Sequence, residues 1–128
     1  MIVYVEDNIN NQRLFTRMLE KYDLQIACVD TIDLGYDLIM ASEPDLIFVD
    51  VHLRTRKTGL DLIYQLRQEG LETPIIVVTA FNMLADRKRA LKMGCNGHLY
   101  KPYNMQDLHK IVNQFIPLQI LAEASTAT

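Results

Sequence analysis

The sequence predicts an α/β fold in which helices cover both faces of a parallel β-sheet. Three short apolar runs, Ile2–Val5, Leu46–Val49 and Ile75–Val78, contain no alternating polar residues, which is typical of strands buried on both faces. Segments with apolar residues at helical spacing lie between them, and strands that alternate with helices favour a doubly wound sheet. The 128 residues, 49 % of them hydrophobic, suffice for one domain with a substantial core.

The first half of the chain supplies two strands and two helices. After the strand Ile2–Val5, Asn8 is a favourable N-cap for a helix with an apolar stripe. The stripe consists of Leu14, Phe15, Met18, Leu19 and Tyr22. A second strand is predicted at Leu24–Val29, and a second helix ends before Pro44. The apolar positions of that helix are Leu34, Leu38 and Ala41.

The second half begins with the strand Leu46–Val49 and a polar, basic loop over residues 51–59. The third helix carries Leu60, Ile63 and Leu66 and ends near Gly70. The remaining elements are a strand, a helix, a strand and a helix. They are predicted at Ile75–Val78, Met83–Met93, Gly97–Tyr100 and, for the last helix, around Met105, Leu108, Val112, Phe115 and Ile116 before Pro117.

The connection rules for parallel sheets leave few topologies for five such strands. The strand order 2-1-3-4-5, the flavodoxin-like arrangement, places the ends of the first and third strands side by side. We predict this five-stranded sheet with five helices, a single domain over residues 1–117 and a C-terminal tail over residues 118–128.

Composition narrows the function classes. The net charge of −3 provides no global basic field for nucleic acid, and two isolated cysteines form no disulfide or metal pattern. The basic residues of the fourth helix, Arg87, Lys88, Arg89 and Lys92, favour a solvated or protein-docking surface rather than a nucleic-acid interface. No apolar stretch is long enough to span a bilayer and no secretory signal is recognisable, so we expect a cytoplasmic location with no membrane contact.

Chemistry-bearing side chains follow four of the predicted strands. Glu6 and Asp7 follow the first strand, and Asp50 follows the third. Because three crowded carboxylates repel one another, either one shares a proton or a hard cation such as Mg²⁺ binds. A carboxylate beside Mg²⁺ can attack phosphorus, and Thr79 and Lys101 could bind the phosphoryl oxygens. Each residue alone is more often a cap, turn or surface residue; the prediction rests on their coincidence.

Four segments together resemble the receiver domain of two-component response regulators. They are Val5-Glu6-Asp7-Asn8, the apolar run into Asp50, Val78-Thr79-Ala80 and Tyr100-Lys101-Pro102, and they keep the family's order and approximate spacing over nearly the whole chain. The resemblance implies a stand-alone, phosphorylation-operated switch of the chemotaxis-regulator type. Such a domain is not an enzyme beyond slow self-catalysed phosphotransfer and dephosphorylation.

The resemblance also implies a function for each site residue. Asp50 would accept a phosphoryl group from a phosphohistidine on a sensor histidine kinase or histidine phosphotransfer protein. Thr79 and Lys101 would bind its oxygens, and Thr79 and Tyr100 would carry the conformational switch. Magnesium would be held by Glu6, Asp7, Asp50 and the backbone carbonyl of His52. The changed surface around the fourth and fifth helices would dock a downstream protein or relay the phosphoryl group, and whether the chain forms a homodimer stays open.

Three features depart from the family pattern. The loop from Asp50 to Gly59 is one residue longer than usual, with Arg54 where proline is common. His52 either biases attack by water on the phosphate, stacks with a partner or has no chemical function. Phe81 is bulky for its position, so we expect it to shield the acyl phosphate and Phe81→Ala to speed phosphate loss.

Other functions are weighed against the same residues. A phosphatase of the haloacid dehalogenase type would need a second aspartate where the chain has His52. A flavin carrier would need a phosphate-binding loop where Glu6 and Asp7 place negative charge. An inactive, receiver-like binding module is the remaining alternative, and the presence of Asp7, Asp50, Thr79 and Lys101 together disfavours it.

Overall fold

The computed structural model describes residues 1–53, 58–80 and 84–118, with the backbone alone for residues 84–87. Five strands and five helices alternate along this part of the chain. The strands are β1 (Ile2–Val5), β2 (Ile26–Val29), β3 (Leu46–Asp50), β4 (Ile75–Ala80) and β5 (Gly97–Lys101). The helices are α1 (Ile9–Met18), α2 (Ile32–Ser42), α3 (Gly59–Gln68), α4 (Leu84–Met93) and α5 (Met105–Phe115).

All neighbouring strands pair in parallel, in the order β2-β1-β3-β4-β5. The predicted fold class and strand order are therefore confirmed. The register places Val5 beside Val49, and Asp50 beside Val78. Consequently the carboxyl ends of β1, β3 and β4 lie together at one edge of the sheet, where ligands bind in open α/β folds.

Two apolar cores cover the two faces of the sheet, as expected for a doubly wound fold. One core joins alternate residues of β1, β3 and β4 to α2, α3 and α4. The other joins the remaining strand residues to α1 and α5. At its centre the ring of Phe15 lies 4.4 Å from that of Tyr4 and 5.0 Å from that of Phe48, so α1 is fixed closely against β1 and β3.

The first helix is shorter than predicted, and its stripe is narrower. It ends at Met18, because the next two amides bond three residues back and tighten the last turn. Tyr22, predicted on the stripe, lies beyond the helix, where its hydroxyl is 3.0 Å from Nδ1 of His109. Leu14, also predicted on the stripe, is 47 % exposed.

Of the three predicted apolar positions of α2, only Leu38 packs against the core, where it is half-buried. Ile32, Gly35 and Ile39 face the core, whereas Leu34 is 52 % exposed and Ala41 is exposed. The reason is close approach: a Cβ at Gly35 would lie 2.8 Å from Cγ2 of Val5. The glycine lets the helix backbone pack on β1, which no count of leucines could indicate.

Several strands differ from their predicted bounds. The second strand begins at Ile26 rather than Leu24, while β3, β4 and β5 extend one or two residues further and end at Asp50, Ala80 and Lys101. Asp50, Thr79 and Lys101 thus belong to strands rather than to the loops that follow. Strand geometry, with its alternation of side chains, therefore fixes the direction in which they project.

Candidate functional site

The buried polar side chains of the described residues coincide with predicted site residues. Glu6, Asp50 and Thr79 are 1 %, 4 % and 2 % exposed, and all other buried side chains in this part of the chain are apolar. Burying a charged carboxylate is costly unless a cation or hydrogen-bond donors compensate it. The carboxyl edge of the sheet is therefore built around groups that need partners.

Lys101 compensates both buried carboxylates. Its Nζ lies 2.6 Å from Oδ2 of Asp50 and 2.9 Å from Oε1 of Glu6, and its side chain is 30 % exposed. Burial acts to lower the pKa of Lys101, but its hydrogen bonds to Asp50 and Glu6 and their charges outweigh that effect and raise the pKa. The lysine therefore stays a cation and neutralises one of the two negative charges.

Asp50 is held at both carboxylate oxygens. The backbone amide of His52 donates to Oδ1 at 2.7 Å, while Lys101 donates to Oδ2. The amide of Val51 donates to the carbonyl of Val78 at 3.1 Å, which continues the pairing of β3 and β4 past the acceptor position. The exposed His52 side chain therefore lies next to a carboxylate whose orientation its own backbone fixes.

Gly59 packs against the backbone of Asp50. A Cβ at Gly59 would lie 2.3 Å from the carbonyl oxygen of Asp50 and 2.7 Å from Cγ1 of Val49, so no other residue fits without displacement. The amide of Gly59 also donates to the carbonyl of Val51 at 3.3 Å. The first residue of α3 thus supports the end of β3 from behind.

Glu6 is supported by residues that the sequence did not single out. Nδ2 of Asn11 donates to Oε1 at 2.6 Å, and the hydroxyl of Tyr4 lies 3.5 Å from the same oxygen. Nε2 of Gln12 donates to the backbone carbonyl of Glu6 at 2.6 Å. Burial raises the pKa of Tyr4, assisted by the neighbouring Tyr103 and the carboxylates, so its hydroxyl stays protonated.

A positional signal could have identified Asn11. Asn8 caps α1, as predicted, with its side chain accepting from the amide of Asn11. Asn11 is therefore the third residue of the helix, and helical side chains tilt toward the N-terminus. A polar residue at that position, directly after a strand that ends in Glu6, points back toward the carboxylate.

Thr79 presents an unsatisfied hydroxyl. Among the described residues its buried Oγ1 has no hydrogen-bond partner, although leaving such a group unpaired costs about 1–3 kcal/mol. Thr79 follows Val78, the register partner of Asp50, and pairs across the sheet with Tyr100. Tyr100 is half-buried, with its ring 5.1 Å from that of His98.

The donor atoms at this edge fit a hard cation. Glu6 and Asp50 offer carboxylate oxygens, and Asp7 is a half-buried carboxylate directly after Glu6. Magnesium ordinarily takes one or two carboxylates and keeps several waters. Within the described residues no three His, Cys, Asp or Glu side chains already form a metal-holding cluster, which agrees with two carboxylates converging on Lys101.

The other residues noted in the sequence divide into two groups. Arg54 and Phe81, with the expectations attached to them, lie outside the described residues, as does the tail from residue 119. Cys28 is half-buried, and its burial raises the pKa of the thiol. His109 connects α5 to α1, because its Nε2 lies 2.6 Å from the backbone carbonyl of Met18.

A small pocket opens beside the carboxylates. It has a volume of about 290 Å³ and is lined by Asn11, Leu14, Lys101, Pro102 and Tyr103. Two of these residues bond to Glu6, so the pocket and the carboxylates share side chains.

No helix among the described residues is both long and apolar enough to cross a membrane.

Comparison with known proteins gives a consistent result. The model of the family described as response regulator receiver domain matches residues 2–113. The chain is 30 % identical over 125 residues to hybrid signal transduction histidine kinase G of Dictyostelium discoideum, covering 93 % of this chain and 4 % of that protein. It is 28 % identical over 117 residues to the polar-differentiation response regulator DivK of Brucella ovis, covering 90 % of this chain and 94 % of that protein.

Solved structures share the fold. The chemotaxis protein CheY4 of Vibrio cholerae superposes with a TM-score of 0.82 at 20 % identity, covering 90 % of this chain and 97 % of that one. The receiver domain of NtrX from Brucella abortus gives a TM-score of 0.83 at 20 % identity, covering 89 % of this chain and 96 % of that one. Several curated relatives are much longer, and the chain spans 31 % of response regulator protein PmrA of Pseudomonas aeruginosa.

Proposed function

The chain belongs to the response regulator receiver domain family, and from this premise we propose that Asp50 is its phosphoacceptor. Membership makes it a domain of two-component signalling, in which phosphorylation changes what a receiver does. A haloacid dehalogenase-type phosphatase is thereby set aside. The finer assignments below, from site residues to partners, belong to the proposal.

The observation that carries the proposal is the position of Lys101 between two buried carboxylates. One ammonium contacts Asp50 and Glu6 at 2.6 and 2.9 Å, so a single positive charge orients the acceptor and is shared between two buried carboxyl groups. A buried Oγ1 on Thr79, unpaired among the described residues, supplies a donor on the neighbouring strand. Together they form an environment prepared for an added oxyanion.

In the proposed reaction an oxygen of Asp50 bonds to phosphorus while the bond from phosphorus to an imidazole nitrogen of the donor breaks. The leaving imidazole keeps the electron pair. Lys101 binds a phosphoryl oxygen and holds the acceptor in line, and the hydroxyl of Thr79 donates to another oxygen. Later attack of water on phosphorus breaks its bond to Asp50 and releases phosphate, which resets the switch slowly.

Magnesium completes the proposed site. We assign Glu6, Asp7, Asp50 and the backbone carbonyl of His52 as its ligands. When bound, the ion supplies positive charge to the oxygens of the phosphoryl group during transfer. The oxygen-only donor set and the excess of carboxylates over cations at this edge support the assignment.

The proposed switch runs through the last two strands. Thr79 and Tyr100 are register partners on β4 and β5, so movement of the Thr79 hydroxyl toward a phosphoryl oxygen alters the packing beside Tyr100. A dianionic group added at one strand end is large enough to bias two packings of this region. The surface formed by α4, β5 and α5 is the expected docking site for a downstream protein or a second copy of the chain.

A sensor histidine kinase or histidine phosphotransfer protein is the proposed donor. Arg13 and Arg17 on α1 and Lys21 just after it are exposed, and their positive charges suit an acidic partner surface. The residues described place no recognition-helix motif or large basic surface there, so direct binding of nucleic acid is not part of the proposal.

Intact mass after incubation with acetyl phosphate, with and without Mg²⁺, tests the assignment. We expect a single phosphoryl adduct that requires Mg²⁺ and is absent in Asp50→Asn. Asp30→Asn is the matched control, because Asp30 also follows a strand of the sheet but is exposed at the edge.

An adduct that persists in Asp50→Asn would place the acceptor elsewhere. If wild type forms no adduct and beryllofluoride leaves its NMR spectrum unchanged, the chain is an inactive, receiver-like binding module.

A further inference from the structure

We infer that Asn11 is a positioning residue, which orients the Glu6 carboxylate for the cation. This inference rests on the proposed function, because it concerns the proposed magnesium site. Asn11 itself contacts neither the acceptor nor the incoming phosphoryl group in the proposed reaction; it acts through Glu6.

The inference begins with an asymmetry in the hydrogen bonding of Glu6. Within the described part of the chain, every hydrogen bond to this carboxylate goes to Oε1: from Asn11 at 2.6 Å, Lys101 at 2.9 Å and, weakly, Tyr4 at 3.5 Å. Its second oxygen, Oε2, receives none from these residues. Asn11 and Lys101 therefore fix the position of Oε1, and with it the orientation in which the carboxylate would meet a cation.

Asn11 is the donor best suited to maintain this arrangement. Its bond to Oε1 is the shortest of the three, and hydrogen bonds to a charged acceptor are among the stronger ones in proteins. Lys101 is shared with Asp50, and in the proposed reaction it also binds a phosphoryl oxygen. Asn11 is a neutral donor on α1 that keeps its bond to Glu6 while the lysine changes partners.

The helix also fixes Asn11. Its backbone amide donates to the side chain of Asn8 at 3.0 Å, so the residue is anchored in the first turn of α1. The next residue, Gln12, bonds to the backbone carbonyl of Glu6 at 2.6 Å, which secures the main chain but not the carboxylate. The two neighbours thus divide the support of Glu6 between its backbone and its side chain.

Isothermal calorimetry of Mg²⁺ binding to the complete 128-residue chain tests the inference without any phosphorylation. We expect Asn11→Ala to raise the dissociation constant about fivefold, less than the full effect of losing one charge-assisted hydrogen bond because Asn11 acts on the cation only through Glu6. Asn11→Gln, which keeps the amide donor, should recover part of the affinity. Asn10→Ala, the same change at the exposed neighbouring position, should leave the affinity unchanged.

The alternatives are distinguishable. If Asn11→Ala lowers the urea midpoint but binds Mg²⁺ like wild type, Asn11 is merely structural and the inference is wrong. If Asn11→Ala does not fold, Asn11→Ser, whose hydroxyl is too short to reach Glu6, carries the same test. If wild type itself binds no Mg²⁺ and forms no adduct, the proposed function fails, not the assignment of Asn11 alone.

Discussion

Replacing Lys101 by methionine tests the electrostatic core of the site most directly. The change keeps an unbranched apolar stem but removes the charge that lies 2.6 and 2.9 Å from two carboxylates. Removing one partner of a buried ion pair costs about 3–5 kcal/mol. Because the lysine is 30 % exposed, water partly replaces it, and we expect a loss of about 3 kcal/mol in the free energy of unfolding at pH 7.

Urea denaturation followed by circular dichroism measures this loss, since the chain contains no tryptophan. Asp50→Asn should lower the free energy of unfolding much less in the Lys101→Met variant than in wild type. The expected coupling energy in this double-mutant cycle is about 2 kcal/mol. Lys110→Met, at an exposed lysine of α5, is the control and should change stability by less than about 0.5 kcal/mol. A loss below about 1 kcal/mol for Lys101→Met, or a coupling energy near zero, would refute the reasoning.

Three further perturbations follow from the same geometry. The pKa values of Lys101 and Tyr4 are raised in the folded chain, so both protonated groups stabilise it at pH values below their ordinary pKa of about 10. That stability is lost as the pH rises above about 10, and urea midpoints from about pH 8 to 11 should show a smaller alkaline loss in Tyr4→Phe. Gly59→Ala should cost about 3 kcal/mol and disturb the amide resonances around Asp50, because its Cβ would clash with that carbonyl. Arg67→Met should lower the free energy of unfolding in urea by about 2 kcal/mol, because it removes the hydrogen bonds from the Arg67 guanidinium to the backbone carbonyls of Leu71 and Gly94.

Each of these has a result that would contradict it. An alkaline slope identical in wild type and Tyr4→Phe would show that the buried hydroxyl is not linked to stability. A Gly59→Ala variant with wild-type stability would mean that α3 can shift away from β3 at no cost. For Arg67→Met, the control is Arg17→Met on the exposed face of α1. Equal losses in the free energy of unfolding for both variants would show that the hydrogen bonds of Arg67 make no specific contribution.

Much of the fold was predictable because its strands are chemically simple. Unbroken apolar runs identify β1, β3 and β4, and a parallel sheet then brings their ends together without further information. For that reason Glu6, Asp50 and Lys101 could be grouped before any distance was known, and the structure places Lys101 in contact with both carboxylates.

The features that could not be predicted from the sequence depend on how closely two backbones approach and on the direction in which a side chain points. The buried face of α2 follows from the lack of a side chain at Gly35, which lets the helix move toward Val5. Gly59 was noticed only as the end of a loop, although it abuts the acceptor backbone. Asn11 carries no motif of its own, and its bond to Glu6 depends on where α1 begins. Hydrophobic periodicity does not encode any of these relations.

The hydrogen bond between Gly59 and Val51 has a consequence for how this family member can diverge. It holds the residue that follows the acceptor against the first residue of α3, so the two ends of the connection between β3 and α3 are fixed to each other. Insertions and substitutions between two ends that are fixed to each other add little closure entropy and do not move those ends. Apart from His52, whose amide binds Asp50 directly, changes in this connection need not move the acceptor. Here the chain can change the surface beside its acceptor over evolutionary time while the acceptor's position stays the same.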